Sequence, residues 1–315
     1  MKLSFSKALI EFKRVFKTEE SRFILFTGMK VSGISFVISV FINLLMVEVM
    51  RLNYAFFKTH GFPDFGGQTP FYDYLLSEVL DNLYLVFSFH VTLFFIGAYI
   101  GWIILRPFRT IGDYCEKVLE NPNTVYKVDE FSTYKLLTRF SEFFFEYLRE
   151  SRKRGQILTS SIPPQFSRIH KPVLDKIFML HFGLLLVIIS ISSAIFTIQN
   201  TSSIFENMVS LASKTLPRTQ NADQFFARQM FIIDDSITLT IILISIGYIG
   251  LGFHLYDKVS GAAFGIFSTM RSYMKGNYFS RVHLVGYAYI RDYTRKLNKY
   301  LDYVQNNLDK EKPKN

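Results

Sequence analysis

The chain has one cysteine and one tryptophan in 315 residues. A single thiol, Cys115, excludes an intramolecular disulfide framework and any metal site built from several cysteines. Proline is scarce too, 9 in all, and none breaks the middle of the four longest apolar runs. Charge is missing from those runs: Val187-Ile188-Ile189-Ser190-Ile191-Ser192-Ser193 carries none, and neither does 239–249. The acidic exception, Glu48, lies near the outer end of the first run and reads as an interfacial carboxylate. Also absent are a nucleophile elbow, a phosphate loop, paired zinc ligands and a phospho-acceptor histidine box. The chain therefore reads as a non-enzyme without a cofactor. Its basic balance comes with no groove-reading motif, which argues against nucleic acid as a partner.

What is present is apolar and aromatic. Hydrophobic residues make up 49% and aromatics 17%, with 34 Phe and 18 Tyr, on a net charge of +10. Such a mixture suits a chain only if charge and apolar surface are segregated, and here they are. Four stretches reach the roughly 20 apolar residues needed to cross a bilayer: 31–50, 83–105, 177–198 and 237–255. The mixed polar residues ahead of the first stretch, with no small-x-small cleavage pattern behind it, read as a retained anchor. Lys and Arg number seven in 1–30, thirteen in 106–176 and eleven in 257–315, against two in 51–82 and three in 199–236. The positive-inside rule then puts the N-terminus, the middle segment and the C-terminus in the cytoplasm of a multi-pass inner-membrane protein in contact with lipid.

The two halves resemble each other at an offset of 154 residues. Glu11-Phe12-Lys13-Arg14-Val15-Phe16-Lys17 aligns with Gln165-Phe166-Ser167-Arg168-Ile169-His170-Lys171, and the same offset carries Ile34 onto Ile188, Ser39 onto Ser193 and Asp81 onto Asp235. The expected order is an amphipathic lead at 1–30 and a membrane hairpin at 31–105 with outer loop 51–82. A cytoplasmic helical segment follows at 106–160, then a linker and second lead at 161–176. The second hairpin is 177–255 with outer loop 199–236, and a second helical segment and tail occupy 256–315. Leu3, Phe5, Leu9, Ile10, Phe12 and Phe16 among lysines suit a lead lying on the inner membrane surface. Outer loop 51–82 has turn chemistry from Lys58 to Pro70, whereas 199–236 reads as more helical. Gly97 with Gly101, and Gly247 with Gly250, provide small faces for close helix packing. Asp81 and Asp234-Asp235 read as solvated caps at the outer ends of spans.

Arg106-Pro107 places a proline at the first turn of a helix leaving the membrane, with Ile111, Tyr114, Cys115, Val118 and Leu119 as its apolar stripe. Glu120-Asn121-Pro122-Asn123-Thr124 breaks it, Val125 to Val128 reads as extended, and a second helix runs over 131–152. Leu136, Leu137, Phe140, Phe143, Phe144, Tyr147 and Leu148 form a coiled-coil-like seam on it. In the second half, 259–274 is the first helix, Lys275-Gly276-Asn277-Tyr278 ends it, and Arg281-Val282-His283-Leu284 is extended. The second helix spans 290–308 with Tyr293, Leu297, Tyr300, Leu301 and Val304 inward.

Span, helix, extended connector, helix: this resembles the HAMP module of bacterial membrane receptors and sensor kinases. Gly276, Arg281, Val282, Leu284 and Leu297-Asn298 are similar to the family's run from Gly through Arg-Val to Phe-Asn, and Pro107 matches its entry proline. Ala288-Tyr289 and Phe131-Ser132 stand where the family has Asp-Glu, and Gly261 where a second entry proline would fall. The resemblance implies a parallel four-helix bundle, normally made by two chains. Two copies in one chain imply a pseudo-dimeric monomer, with a homodimer as the other outcome. It also implies a signal passed by rotation or tilt of the second helices. Since no output domain follows, a separate cytoplasmic or membrane protein would receive that signal.

The expected fold is thus all-α, with four spans in two tandem repeats, each followed by a HAMP-like helix pair. The expected function is a non-enzymatic relay or scaffold. Leu136, Phe140, Phe143, Leu297, Tyr300 and Leu301 are the expected bundle core. Internal repeats also suit a small transporter or channel. His181 and His254, at similar depth on the third and fourth spans, would be the ligands if the chain were a haem-bearing electron carrier.

Overall fold

In the computed structural model, residues 18–59, 68–127, 135–157, 162–167, 169, 176–215 and 220–310 are described, and no strand occurs among them. The helices are α1 (Glu19–Thr59), α2 (Gln68–Glu120), α3 (Lys135–Lys153), α4 (Pro164–Ser167), α5 (Lys176–Thr215), α6 (Gln220–Met274) and α7 (Arg291–Lys310). A 3-10 turn, Ala288–Ile290, leads into α7. The lead at 1–17, loop residues 60–67, Val128, Phe131-Ser132 and the tail from 311 lie outside the described residues.

Among the described residues, four helices are long and apolar enough to cross a membrane. Only 22–28% of each apolar window is buried, and Phe36, Phe41, Phe87, Phe95, Ile188, Ile195, Ile246 and Ile249 are exposed. A water-soluble monomer does not tolerate that much contiguous apolar surface. Lipid removes the penalty, because hydrocarbon solvates these side chains as well as a protein core does.

Local chemistry sets several helix ends. Thr18 caps α1, its Oγ1 accepting from Ser21 N at 3.2 Å, and Glu19 and Glu20 in the first turn complement the helix dipole. Gly276 ends α6 with φ +97°. Its N–H reaches Tyr273 O at 3.1 Å, and Asn277 N reaches Ser272 O at 3.1 Å, the paired bonds of a Schellman stop. Gly155 ends α3 in the same way (φ 67°).

Two sequence expectations change. Pro107 does not open a new helix; it lies inside α2. An interior proline forfeits a backbone bond and costs about 3 kcal/mol in an isolated helix. Complete burial of Leu105 and Phe108 on either side holds the helix together. Likewise 259–274 is not a separate helix but the end of α6.

The chain forms two compact units, each drawn from both halves of the sequence. The first, here the span unit, comprises Gly28–Gly97 and Leu185–Leu251. Its helices approach closely through glycine: a Cβ on Gly97 would lie 2.9 Å from Gly28 Cα, and one on Gly247 would lie 2.8 Å from Ile34 Cγ2. Gly250, expected to serve the same purpose, has nothing within 4 Å. Hydroxyls join the helices as well. Ser39 Oγ and Thr197 Oγ1 are 3.0 Å apart, Tyr248 donates to Val31 O at 2.9 Å, and Ser193 meets Tyr248 at 3.2 Å. Bonds of this kind contribute about 0.6 kcal/mol each in a bilayer. Ser32 Oγ donates to the carbonyl of His90 at 2.9 Å. The His90 ring Nδ1 meets Val86 O at 2.7 Å between Phe36, Phe89 and Phe196.

Candidate functional site

The second unit, the bundle unit, comprises Met1–Thr27, Ala98–Leu184 and Gly252–Asn315. Four helical segments share its core: the end of α2, all of α3, the end of α6, and α7. Phe140 on α3 packs on Phe267 of α6 at 4.5 Å, and one turn further Phe144 meets Tyr273. Tyr114 on α2 lies 4.5 Å from Phe145 on α3 and 6.3 Å from Tyr300 on α7. Tyr293 meets Arg109, Lys296 meets Asp113, and Tyr300 meets Tyr114. Along α3 with α6 and α7 with α2 the numbering advances in the same sense, as it does from Tyr114–Phe145 to Pro122–Arg152 between α2 and α3, so the four segments run parallel.

Phe140, Leu297, Tyr300 and Leu301 are fully buried in this core. Leu136 and Phe143, also expected there, are only half-buried. Phe144 of the expected seam is deep, at 0% exposure, and so is Phe145, which was not expected there, at 1%. The reason is geometric: α3 has partners on two sides, so adjacent positions are both covered.

Of the motif residues, Arg281, Val282, Leu284 and Asn298 make definite contacts. Asn298 on α7 grips the connector, its Oδ1 accepting from Val282 N at 2.8 Å and its Nδ2 donating to Val282 O at 3.0 Å. Arg281 donates to Asp302 and to Gln305, each at 2.7 Å. Leu284 fills the space left open by Gly265, and Tyr287 that left by Gly261. The connector is therefore fixed to α7 by polar bonds and to α6 by a glycine-lined face.

A second set of contacts joins segments whose pairing no sequence feature signals. Glu20, in the first turn of α1, accepts from Arg109 of α2 and from the Tyr293 hydroxyl of α7. Arg109 Nε also donates to Tyr293 at 3.3 Å. Gly112 makes room for this, since a Cβ there would sit 2.7 Å from Tyr293 Cδ1. Below it Lys296 bonds Glu116 at 2.7 Å, with Asp113 at 3.8 Å. Burial, joined by the Glu20 bond, raises the Tyr293 hydroxyl above its ordinary value. The Glu116 bond raises Lys296. An open groove of about 850 Å³ runs along these residues.

Arg271 of α6 holds the linker, donating to the carbonyls of Phe166 and Ser167 at 3.5 and 3.3 Å and to that of Ile169. Phe166 is buried against Phe140 at 5.1 Å. Of the histidines singled out, His181 and His254 are both exposed on their helices. No cluster of three or more His, Cys, Asp or Glu suited to a metal occurs among the described residues. Cys115 is fully buried.

Glu20, Arg109, Gly112, Lys296 and Arg271 were not legible in advance, and Tyr293 was expected only as an inward residue of its helix. Glu20 and Tyr293 are separated by 273 positions, and a lone charged or aromatic residue at a helix end carries no pairing signal. Asn298 was legible, through the motif.

Four apolar helices of spanning length, with a further helical bundle built from both halves of the chain, define an all-helical multi-pass membrane protein. Comparison with family models, with curated proteins and with solved structures finds no match to this chain.

Proposed function

We propose that this chain is a non-enzymatic inner-membrane relay or scaffold, in which two HAMP-like modules form one bundle within a single polypeptide and pass a signal to a separate protein. The observation that carries the reading is the parallel packing of four segments, two from each half, with Asn298 holding the connector at Val282. In such a bundle the first helix of each module continues from a span, as α2 and α6 do. A shift of a span has no break in which to dissipate, and a packed aromatic core answers by repacking rather than by gradual deformation. Glu20, Arg109 and Tyr293 tie the entry of the first span to the exit of the second and to α7, and so act as the latch of the relay.

The output surface is the outward face of α3 and α7, where Arg139, Glu142, Glu146, Arg291, Arg295, Lys299 and Asp302 are exposed. The charge pattern places both termini and this surface in the cytoplasm. The haem reading draws no support from His181 and His254, both exposed on their helices, because a haem needs a buried slot between its ligands.

Mild-detergent purification of the intact protein, with crosslinking and mass spectrometry, tests the proposal. The expected result is a stoichiometric protein partner bridged to residues 135–155 or 291–308. Recovery of the chain alone, with crosslinks only to itself, would count against the relay and favour a transport role.

A further inference from the structure

The connector between α6 and α7 carries an apolar residue where water alone would not favour one. Val285 is 94% exposed. It sits in a turn with Gly286, whose φ of +85° bends the chain sharply. The two residues flanking this turn are pinned: Leu284 lies over Gly265 and Tyr287 over Gly261, both on α6. Tyr289 donates to the carbonyl of Lys258 at 3.1 Å. The Lys258 ammonium lies 5.8 Å from the Tyr287 ring, and Phe23 stacks on Tyr289 at 4.3 Å.

Position along α6 decides what Val285 meets. Asp257 and Lys258 are the first charged residues after the apolar run 237–255, so the hydrocarbon ends at about that turn. At 1.5 Å per residue, Gly261 and Gly265 lie only about 5 and 10 Å further along the helix. Gly261 thus falls within the headgroup layer, which adds about 5–8 Å to each side of the hydrocarbon core, and Gly265 at its outer edge. On α2 the hydrocarbon edge is marked by Trp102, on which Tyr99 stacks at 6.0 Å. There the Arg106 and Arg109 guanidinium groups lie 5.7 and 5.6 Å over the indole. Aromatic rings paired with basic residues are the usual signature of a membrane–water interface.

We infer that the tip of this connector, Leu284 to Tyr289, is a membrane-interface anchor that inserts Val285 among the lipid headgroups. Lys258 and the tyrosine rings lie at the hydrocarbon edge, and Val285 sits among the headgroups further out. The anchor fixes one end of α7 to the bilayer. A change in lipid packing then reaches the bundle through the connector as well as through the spans. The inference depends on the membrane-spanning reading alone, so a missing protein partner would not touch it.

Phe279 supplies an internal control, being 80% exposed in the turn that follows α6, at the far end of the same connector. Val285→Cys and Phe279→Cys, each in the full-length protein, are labelled with bimane; Cys115 is fully buried and does not compete under native conditions. The labelled proteins are placed in nanodiscs of phosphatidylcholine and phosphatidylglycerol containing a shallow nitroxide phospholipid. The label at 285 is expected to be quenched severalfold more than the label at 279, with a blue-shifted emission. Equal quenching at the two positions overturns the anchor. Should Val285→Cys fail to fold, the wild-type protein is irradiated in nanodiscs bearing a photoactivatable phospholipid, and its peptides are mapped. Adducts on 284–289 and none on 277–281 support the anchor, and their absence from 284–289 overturns it.

Discussion

Tyr293 and Gly112 show how one residue's size sets another's place. The ring of Tyr293 occupies the volume that a side chain at 112 would need, and its hydroxyl completes the contact with Glu20 and Arg109. Alanine is ordinarily the better helix former by about 1 kcal/mol. At this position Gly112→Ala is expected instead to lower stability by about 1–2 kcal/mol, because overpacking outweighs propensity. In a Tyr293→Ala background the same change is expected to be close to neutral. Thermal melts of the four proteins in detergent give the coupling directly. Additive effects would mean that the two residues do not share that space.

Titratable residues in the bundle make a second prediction at this scale. Burial pushes the Tyr147 hydroxyl up to about 12 and also raises Tyr293 and Tyr300. Lys296 is raised by its bond to Glu116. Each of these groups holds its proton more tightly when folded, so the unfolded chain releases protons first as pH rises. The contribution to stability is complete below about pH 10 and declines through pH 10–12. Melting temperature is therefore expected to hold from pH 7 to 9 and to drop steeply above 10. The hydroxyl of Tyr300 is buried without a hydrogen-bond partner, so Tyr300→Phe is expected to cost little at pH 7. It should also flatten the alkaline decline; an unchanged slope would remove Tyr300 from the cause.

Among the elements, the helix stops were the most readable. Gly276 was recognised from its place after an apolar stripe, and its φ of +97° explains why glycine is needed there. Nothing lies within 4 Å of the position its Cβ would take. Gly276→Ala therefore isolates the backbone cost, expected at about 1–2 kcal/mol, and should leave bundle contacts intact by hydrogen exchange. Broad loss of protection across α3 and α7 would show that the stop does more than end a helix. Pro107 was misread for a physical reason. A proline signals a helix start only if nothing else supports the helix through it. Here burial on both sides of Pro107 supplies that support, and sequence-local rules do not register it.

For the molecule as a whole, what could be read in advance was whatever depends on neighbours in the chain. Apolar length fixed the four spans, and glycine and asparagine spacing marked the second connector. These signals are local because solvation and helix periodicity act on successive residues. The tertiary structure alone decided which residues meet across the chain. It set Phe145 deep where Phe143 was expected, joined Glu20 to Tyr293, gave Arg271 the linker carbonyls, and left Gly250 open to its surroundings. Each depends on the depth and rotation of helices far apart in sequence. A single side chain's worth of space, as at Gly112, is enough to choose among arrangements that the local pattern leaves equivalent.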